Sequence, residues 1–521
     1  MISPRTCVIL ILAATIGAAA LRLPRLTHRP MHTDEAVHAV KFGELLEQGI
    51  YVYDPVEFHG PTLNYFTLIP ACLLRQHTIA QVNEFTLRVV PAVFGVMLIP
   101  LLLIVRKELG YLPAAIAALL IAASPALTFY SRYYIQETLL VCFTIGFIIL
   151  GFKFLQTGRI VFAAGAGVFA GLAHATKETF LVVILCSIGT ILLMSFFGRF
   201  GNGKSKLPVT LPSVLVLLVC AAVTSALFYS SFLSNPAGVL DSIKAYGTYF
   251  DRAKENAFHI HPWYYYFAVM LSPKCGRLPD ISSLVLMVLS VCGGIVAFAD
   301  RTPANKRMWQ FVALYTLLTI IVYCSIPYKT PWCLINFLPG MLLLAALAFS
   351  RLFGLLEKKL YRRILCTAIC ILAAQQAWQA VSLNFKYYAD PCNPYIYAQT
   401  TTDIPELSRA VVNTISALPD NDRTQVEVIC PGDDYWPLPW YLRTLGRVGW
   451  HSKVDPNAAR ADIIIVYASL EPALSKRLYE TAPAGERHLY VLLTDKPIYL
   501  RPGVELNAYI RQDLLEHIRQ K

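Results

Sequence analysis

Two adjacent carboxylates, Asp34 and Glu35, stand in the stretch Met31-His32-Thr33-Asp34-Glu35-Ala36-Val37-His38, just beyond the first long apolar run of the chain. An acid pair so close to a bilayer could deprotonate an acceptor or hold a metal ion while a substrate with a lipid tail stays dissolved in the membrane. Alternatively, the two acids belong to a solvated loop and cap the helix that follows. Other ionisable residues occupy short segments between apolar runs: Glu57 and His59, Arg132 and Glu137, Lys177 and Glu178, and Lys329 within Pro327-Tyr328-Lys329-Thr330-Pro331. The cations Arg132, Lys177 and Lys329 come from three separate segments and could surround a phosphate, whose charge would offset the cost of keeping them near lipid. Each could equally be an interfacial anchor or the partner of an acid.

The elements that must position these residues are mostly membrane helices. Hydrophobic residues make up 56% of the chain and charged residues 15%, and the mean hydropathy is positive, which is too apolar for a soluble protein of this length. A hydrocarbon core of about 30 Å takes roughly 20 apolar residues per helix. Such runs recur at 7–23, 86–105, 111–129, 138–156, 160–175, 179–197, 211–232, 281–299, 308–326, 332–350 and 364–382, with a shorter piece at 62–74 that reads as re-entrant or interfacial. The pattern predicts an α-helical polytopic membrane protein of about 11 transmembrane helices over 1–384, followed by a soluble α/β domain over 385–521.

Orientation follows from the basic residues between runs. Arg106 and Lys107, Arg159, Arg199 with Lys204 and Lys206, Arg301 with Lys306 and Arg307, and Lys358 and Lys359 with Arg362 and Arg363 fall in alternate loops. Those loops are predicted to be cytoplasmic. The N-terminus is then cytoplasmic as well, while a first loop (24–85), a long loop (234–280) and the C-terminal domain are exported. The net charge of +12 is a topology signal and gives no reason to expect nucleic acid as a partner. Ala18-Ala19-Ala20 could serve a signal-peptide cleavage site, but the length of the first run favours a retained helix. Most of the 13 cysteines lie in spans, and of those in the C-terminal domain Cys392 and Cys430 could form one disulfide.

In the long exported loop, apolar residues recur at helical spacing over 238–254, as expected of an amphipathic helix on the bilayer surface. His259-Ile260-His261-Pro262-Trp263-Tyr264-Tyr265-Tyr266 follows, which reads as an interfacial aromatic belt or a sugar platform. The C-terminal domain is predicted to hold helices at 404–418, 473–481 and 505–518 and strands at 426–430, 463–467 and 488–493, a three-layer α/β arrangement. The loop Gly432-Asp433-Asp434-Tyr435-Trp436-Pro437 follows its first strand. Ligands commonly bind at such a position, making Asp434 and Trp436, with His261, candidate sugar or acceptor contacts. The other reading is a packed docking loop.

The strings Asp34-Glu35-Ala36-Val37-His38, Phe58-His59-Gly60-Pro61-Thr62, Tyr328-Lys329-Thr330-Pro331-Trp332 and Trp436-Pro437-Leu438-Pro439-Trp440-Tyr441-Leu442-Arg443, in this order, resemble the GT-C superfamily of integral membrane glycosyltransferases. The likeness runs to the protein O-mannosyltransferase and aminoarabinose-transferase branch, and within it to prokaryotic flippase-activity-associated, glycosyltransferase-like proteins. It implies a GT-C fold in a prokaryotic inner membrane and a sugar donor joined to polyprenyl phosphate. Asp34, and second Glu35, would be catalytic base or metal ligand. Lys329, Arg132 and Lys177 would meet the phosphate, and His38, Glu57, His59, Glu137 and Glu178 would complete the polar surroundings. The acceptor could be glycan, lipid or protein.

The chemistry that fits is inverting transfer, in which Asp34 takes the acceptor proton and fixed cations stabilise the leaving phosphate. A divalent ion, Mg or Mn, could assist on Asp34, Glu35 and His59, although these lack a diagnostic ligand spacing. The rival readings are a flippase or transporter of a polyprenyl-linked glycan, and a non-catalytic partner of one. Ionisable residues at mid-membrane and repeated halves, which transporters tend to show, are not evident in the sequence.

Overall fold

The computed structural model describes residues 2–198, 209–255, 259–272, 275, 280–299, 306–418, 421–481 and 487–519. Arg199, Lys204, Lys206 and Arg301, part of the orientation reading, lie outside them. The first helices in chain order are α1 (Pro4–Arg22), α2 (Thr33–Gln48), α3 (Thr62–Leu73), α4 (Glu84–Met97), α5 (Leu102–Leu109), α6 (Tyr111–Ala123) and α7 (Pro125–Tyr130). Then come α8 (Glu137–Thr157), α9 (Ile160–His174), α10 (Phe180–Gly198), α11 (Leu211–Tyr229), α12 (Ala237–Glu255) and α13 (Tyr265–Leu271). The helical series closes with α14 (Ile281–Ala299), α15 (Lys306–Ser325), α16 (Leu338–Leu355) and α17 (Lys359–Val381), and in the C-terminal domain α18 (Asp403–Ser416), α19 (Leu438–Tyr441), α20 (Glu471–Ser475) and α21 (Gln512–Arg519).

Among the described residues eight helical stretches are long and apolar enough to cross a membrane: α1, α4 continued by α5, α8, α11, α14, α15, α16 and α17 with its last turn. Four shorter apolar helices, α3, α6, α9 and α10, accompany them. The apolar run 111–129 is cut in two because the Ser124 side chain caps α7 and Pro125 takes its first position, a site where the missing N–H costs nothing. The helices approach closely where side chains are small. A Cβ on Gly171 of α9 would stand 2.5 Å from the carbonyl oxygen of Ala221 in α11, so only glycine allows that crossing.

The chain separates into two compact units. One comprises Met1–Leu26, Gln48–Arg75 and Phe85–Tyr397, and the other Thr27–Glu47, Gln76–Glu84 and Ala398–Lys521. The expected boundary at 384/385 is therefore displaced: residues as far as Tyr397 cluster with the helices, where the Tyr130 hydroxyl donates to the Tyr395 carbonyl at 3.0 Å. Two pieces of the first loop instead belong with the C-terminal domain. The expected pairing of Cys392 with Cys430 is also corrected. Cys392 is joined to Cys275, and Cys430 is a buried free thiol in the apolar core beneath the sheet.

That sheet comprises β1 (Val426–Ile429), β2 (Val448–His451), β3 (Ile463–Tyr467), β4 (Tyr490–Leu492), β5 (Ile498–Arg501) and β6 (Val504–Arg511). The strand order is β2-β1-β3-β6-β4, with β5 also on β6. β1 runs parallel to β2 and β3, while β6 is antiparallel to β3, β4 and β5. Ile463 and Ile465 pack with Ile404, Leu407, Val411 and Ile415 of α18, whereas Ile464 and Val466 pack on the other face with Leu474 and Leu478. Alternation along one strand thus creates the three layers.

The helix expected over 505–518 is a strand as far as Arg511. Leu506, Ala508 and Ile510 are fully buried at every second position, a period of two that the adjoining helix α21 masks in the sequence. The amphipathic segment forms α12, with Leu240 and Ile243 each 64% exposed.

Candidate active site

The acid pair divides its labour. Glu35 is completely buried; one carboxylate oxygen accepts the His32 backbone N–H at 3.0 Å and the other the Arg29 guanidinium at 3.4 Å. In return His32 Nδ1 accepts the Asp34 backbone N–H at 3.1 Å. The Glu35 carboxylate thus satisfies the N–H of the residue before α2 and the His32 ring that of its second residue, so that side chains cap the helix start. Glu35 therefore starts α2, and Asp34, whose side chain is 43% exposed, carries the accessible carboxylate. His38 is buried on the same helix.

The C-terminal domain fixes this helix start in place. Met31 donates its N–H to the Tyr441 hydroxyl oxygen at 2.8 Å and accepts the Thr400 hydroxyl at 2.7 Å. Trp440 Nε1 donates to Glu84 at 2.9 Å, and Arg443, stacked 3.7 Å over the Trp440 ring, donates to the Val82 and Ile79 carbonyls. The string Trp436–Arg443 thus clasps both first-loop pieces; a packed docking loop was one of the two readings that the sequence offered for its start. Earlier in that string Asp434 pairs with Arg501. Trp436 and Trp450 flank Tyr435, at ring separations of 6.4 and 4.9 Å. The side chain of Asp433 lies outside the described residues.

A second polar cluster forms among the helical elements. Phe58-His59-Gly60-Pro61-Thr62 lies against the segment after α9, where a Cβ on Gly60 would fall 2.2 Å from the Ala175 oxygen. The Thr62 N–H donates to that same oxygen at 3.1 Å. This contact delivers His59 Nδ1 to 2.8 Å from one Glu178 oxygen, while the Tyr53 hydroxyl donates to the other at 3.1 Å. Burial pushes the Glu178 carboxyl up, but His59 beside it and the neighbouring Lys177 outweigh burial and hold it below the ordinary carboxylate range. Lys177 is buried and donates to Glu137; burial opposes its charge, yet Glu137 more than compensates and raises its pKa. Glu57 is exposed, and its backbone N–H donates to Asp54.

Arg132 is likewise committed. Its guanidinium donates to the carbonyls of Arg22, Pro24 and Arg25 at 2.8, 2.7 and 3.2 Å and lies over the Phe385 ring. The expectation that Arg132 and Lys177 would stand ready for phosphate is thus met by two groups already occupied, one by main-chain carbonyls and one by an acid.

Lys329 differs. It is 1% exposed, and among the described residues its ammonium donates only to the carbonyls of His261 at 3.0 Å and Ile326 at 2.5 Å. No carboxylate pairs with it among the described residues. An antiparallel bridge between Ile260 and Tyr328 holds the segment, with the Lys329 N–H on the His259 carbonyl and the His261 N–H on the Pro327 carbonyl. The His261 ring stacks on Tyr265 at 4.1 Å, and the His259 ring nitrogen meets the Tyr397 hydroxyl. Burial depresses the Lys329 pKa.

The residues expected to hold a divalent ion do not fit one. Both oxygens of Glu35 are engaged, and among the described residues no three His, Cys, Asp or Glu side chains converge.

Comparison with known proteins agrees with this architecture. The sequence profile of the dolichyl-phosphate-mannose-protein mannosyltransferase family matches residues 63–227. No curated protein sequence matches the chain. ArnT from Cupriavidus metallidurans, solved bound to undecaprenyl phosphate, is similar with a TM-score of 0.63 at 14% identity, over 97% of this chain and 98% of that one. The archaeal oligosaccharyltransferase AglB from Archaeoglobus fulgidus, solved with an inhibitory peptide and a dolichol-phosphate, gives a TM-score of 0.57 at 11% identity, over 89% and 70%. Eight membrane-length helices and four shorter apolar ones among the described residues, with a C-terminal sheet domain, set beside these matches, give this chain the fold that these two structures share, the GT-C fold expected from the sequence.

Proposed function

We propose that the protein transfers a hexose or pentose from a polyprenyl-phosphate donor to an acceptor hydroxyl or amine on the exported side of a prokaryotic inner membrane. One observation carries the reading: a buried ammonium, Lys329, that among the described residues only neutral carbonyls satisfy. Keeping such a charge near lipid is costly unless an anion completes it. A lipid phosphate supplies that anion. Support also comes from an apolar pocket among the helices, lined by side chains such as Leu98, Val141, Ile145, Phe311 and Leu343, a surface of the kind an isoprenoid chain packs against.

In this scheme Asp34 accepts the proton of the acceptor as its oxygen or nitrogen bonds to the anomeric carbon. The bond from that carbon to the phosphate oxygen breaks, and its electron pair remains on the departing polyprenyl phosphate beside Lys329. A fixed cation acting on charge that grows during the step is a large catalytic term, and base catalysis adds about 10²–10⁴-fold. The Lys177–Glu137 pair acts electrostatically on Cys333, four residues beyond Lys329, and Arg132 holds the end of α1.

The test is lipid capture by native mass spectrometry of the detergent-extracted protein. Polyprenyl phosphate or its glycosylated form should accompany the wild type, be lost from Lys329→Ala and be kept by Asp34→Asn. Equal bulk phospholipid in all three would defeat the reading. Undiminished movement of a lipid-linked glycan by Asp34→Asn in vesicles would favour the flippase instead.

A further inference from the structure

We infer that His261 is a second ligand of the donor phosphate, placed beside Lys329 by the pairing of segments 259–261 and 327–329; this rests on the donor-site reading above. Among the described residues His261 Nε2 is buried without any hydrogen-bond partner. An enclosed ring nitrogen in that state forfeits the hydrogen bond it made to water, so a native site that retains one is expected to receive a partner from outside the chain. The ring itself is well held. It stacks on Tyr265 with the two planes 15° apart, and its backbone carbonyl takes the Lys329 ammonium at 3.0 Å. One residue therefore carries both a main-chain hold on the lysine and an unsatisfied side-chain nitrogen.

The surrounding groups define what that partner is. Lys329 and His259 lie close enough to act electrostatically on the imidazole, and together with burial they depress its pKa. Tyr265 packs on its face, and His259 is engaged with Tyr397 and Tyr328. Among the described residues no acid enters this set. A region with an ammonium, two imidazoles and no carboxylate repels cations and favours an anion, and a phosphate has enough oxygens to take one hydrogen bond from Lys329 and another from His261. His261 thus belongs to the donor side of the reaction, in place of the sugar or acceptor contact expected from its sequence neighbourhood. As the sugar–phosphate bond breaks, the Nε2–H donates to an oxygen of the departing phosphate, whose negative charge increases in that step.

The experiment measures binding of two probes, undecaprenyl phosphate and undecaprenol, to the full-length protein in lipid nanodiscs. His261→Phe keeps a ring to stack on Tyr265 and removes the donor, whereas His261→Gln keeps a donor without the ring. The inference expects His261→Phe to bind undecaprenyl phosphate at least about tenfold more weakly, as for loss of a hydrogen bond to a charged group, with undecaprenol binding unchanged and His261→Gln partly restored. Wild-type affinity in His261→Phe, or equal weakening for both lipids, would overturn it and leave the role of Lys329 standing if Lys329→Ala still loses the phosphate lipid. A wild type that binds the two lipids alike would overturn both the inference and the donor-site reading.

Discussion

The guanidinium of Arg132 donates to the backbone carbonyl of Arg22 at 2.8 Å, while the guanidinium of Arg22 donates to the carbonyls of Ala122 and Ile121 at 3.0 and 3.1 Å. Each arginine thus satisfies carbonyls at the end of a helix, α1 in one case and α6 in the other, that the helix itself leaves open. Away from water those carbonyls have few other donors. Arg132→Ala should therefore cost about 2–4 kcal/mol through orphaned carbonyls, and Arg132→Lys should recover little of it because one ammonium cannot reproduce the planar fork. Thermal unfolding of the detergent-extracted variants measures this; a stable Arg132→Ala that has lost lipid binding would instead make Arg132 a phosphate ligand.

Asp34 and Glu35 should separate cleanly. Asp34→Asn is expected to abolish sugar transfer without altering the melting temperature, since the side chain is partly exposed and the helix start is built around its neighbour. Glu35→Gln should lower stability by about 1–3 kcal/mol, because a neutral amide cannot accept at both oxygen positions. Parallel transfer and melting measurements would refute the division if the two variants exchanged phenotypes.

The buried pair Lys177–Glu137 should show strong coupling. Glu137→Gln leaves an unpaired buried ammonium and should destabilise by about 3–5 kcal/mol, whereas Lys177→Met combined with Glu137→Leu should cost much less than the two single changes summed. A double-mutant cycle followed by thermal unfolding decides the point, and additive effects would show that the contact contributes nothing.

Glu178 imposes a pH dependence whose sign is fixed. Its carboxyl lies below its ordinary 4.5 in the folded protein, so the stabilisation is present above that value and is lost as the pH falls through the lowered one. The melting temperature of wild type should exceed that of Glu178→Gln near neutrality, and the gap should close under strong acid. A gap that stays constant with pH would mean that the charge on Glu178 is irrelevant.

The link between Cys275 and Cys392 predicts one cross-linked peptide pair in non-reducing digests, with Cys430 protected from thiol reagents until the domain unfolds. Mass mapping tests both. Recovery of Cys392 joined to Cys430 would contradict the arrangement.

Composition and hydropathy sufficed for the membrane class, because a bilayer demands apolar runs of a set length whatever the tertiary packing. Period-two and period-3.6 patterns likewise marked β1, β3 and α18. The same kind of pattern failed at β6, where strand passes directly into helix, and it left unmarked β5 and also β2, an edge strand of intermediate burial that contains Gly449. Asp34 and Lys329 could be singled out from type and place alone. What they touch could not. The engagement of Arg132 by carbonyls, of Lys177 by Glu137 and of Cys392 by Cys275 depends on residues distant in sequence meeting in space, while Glu35 meets His32 and Arg29 through the local turn before α2, and hydrogen bonds that short in range are set only once the backbone has closed. The sequence by itself determined which groups could do chemistry and that most of the chain is apolar enough for lipid; the tertiary structure decided which partners each group meets, because contacts between distant segments exist only once the chain has folded, and the roles proposed for Asp34, Lys329 and His261 rest on those partners.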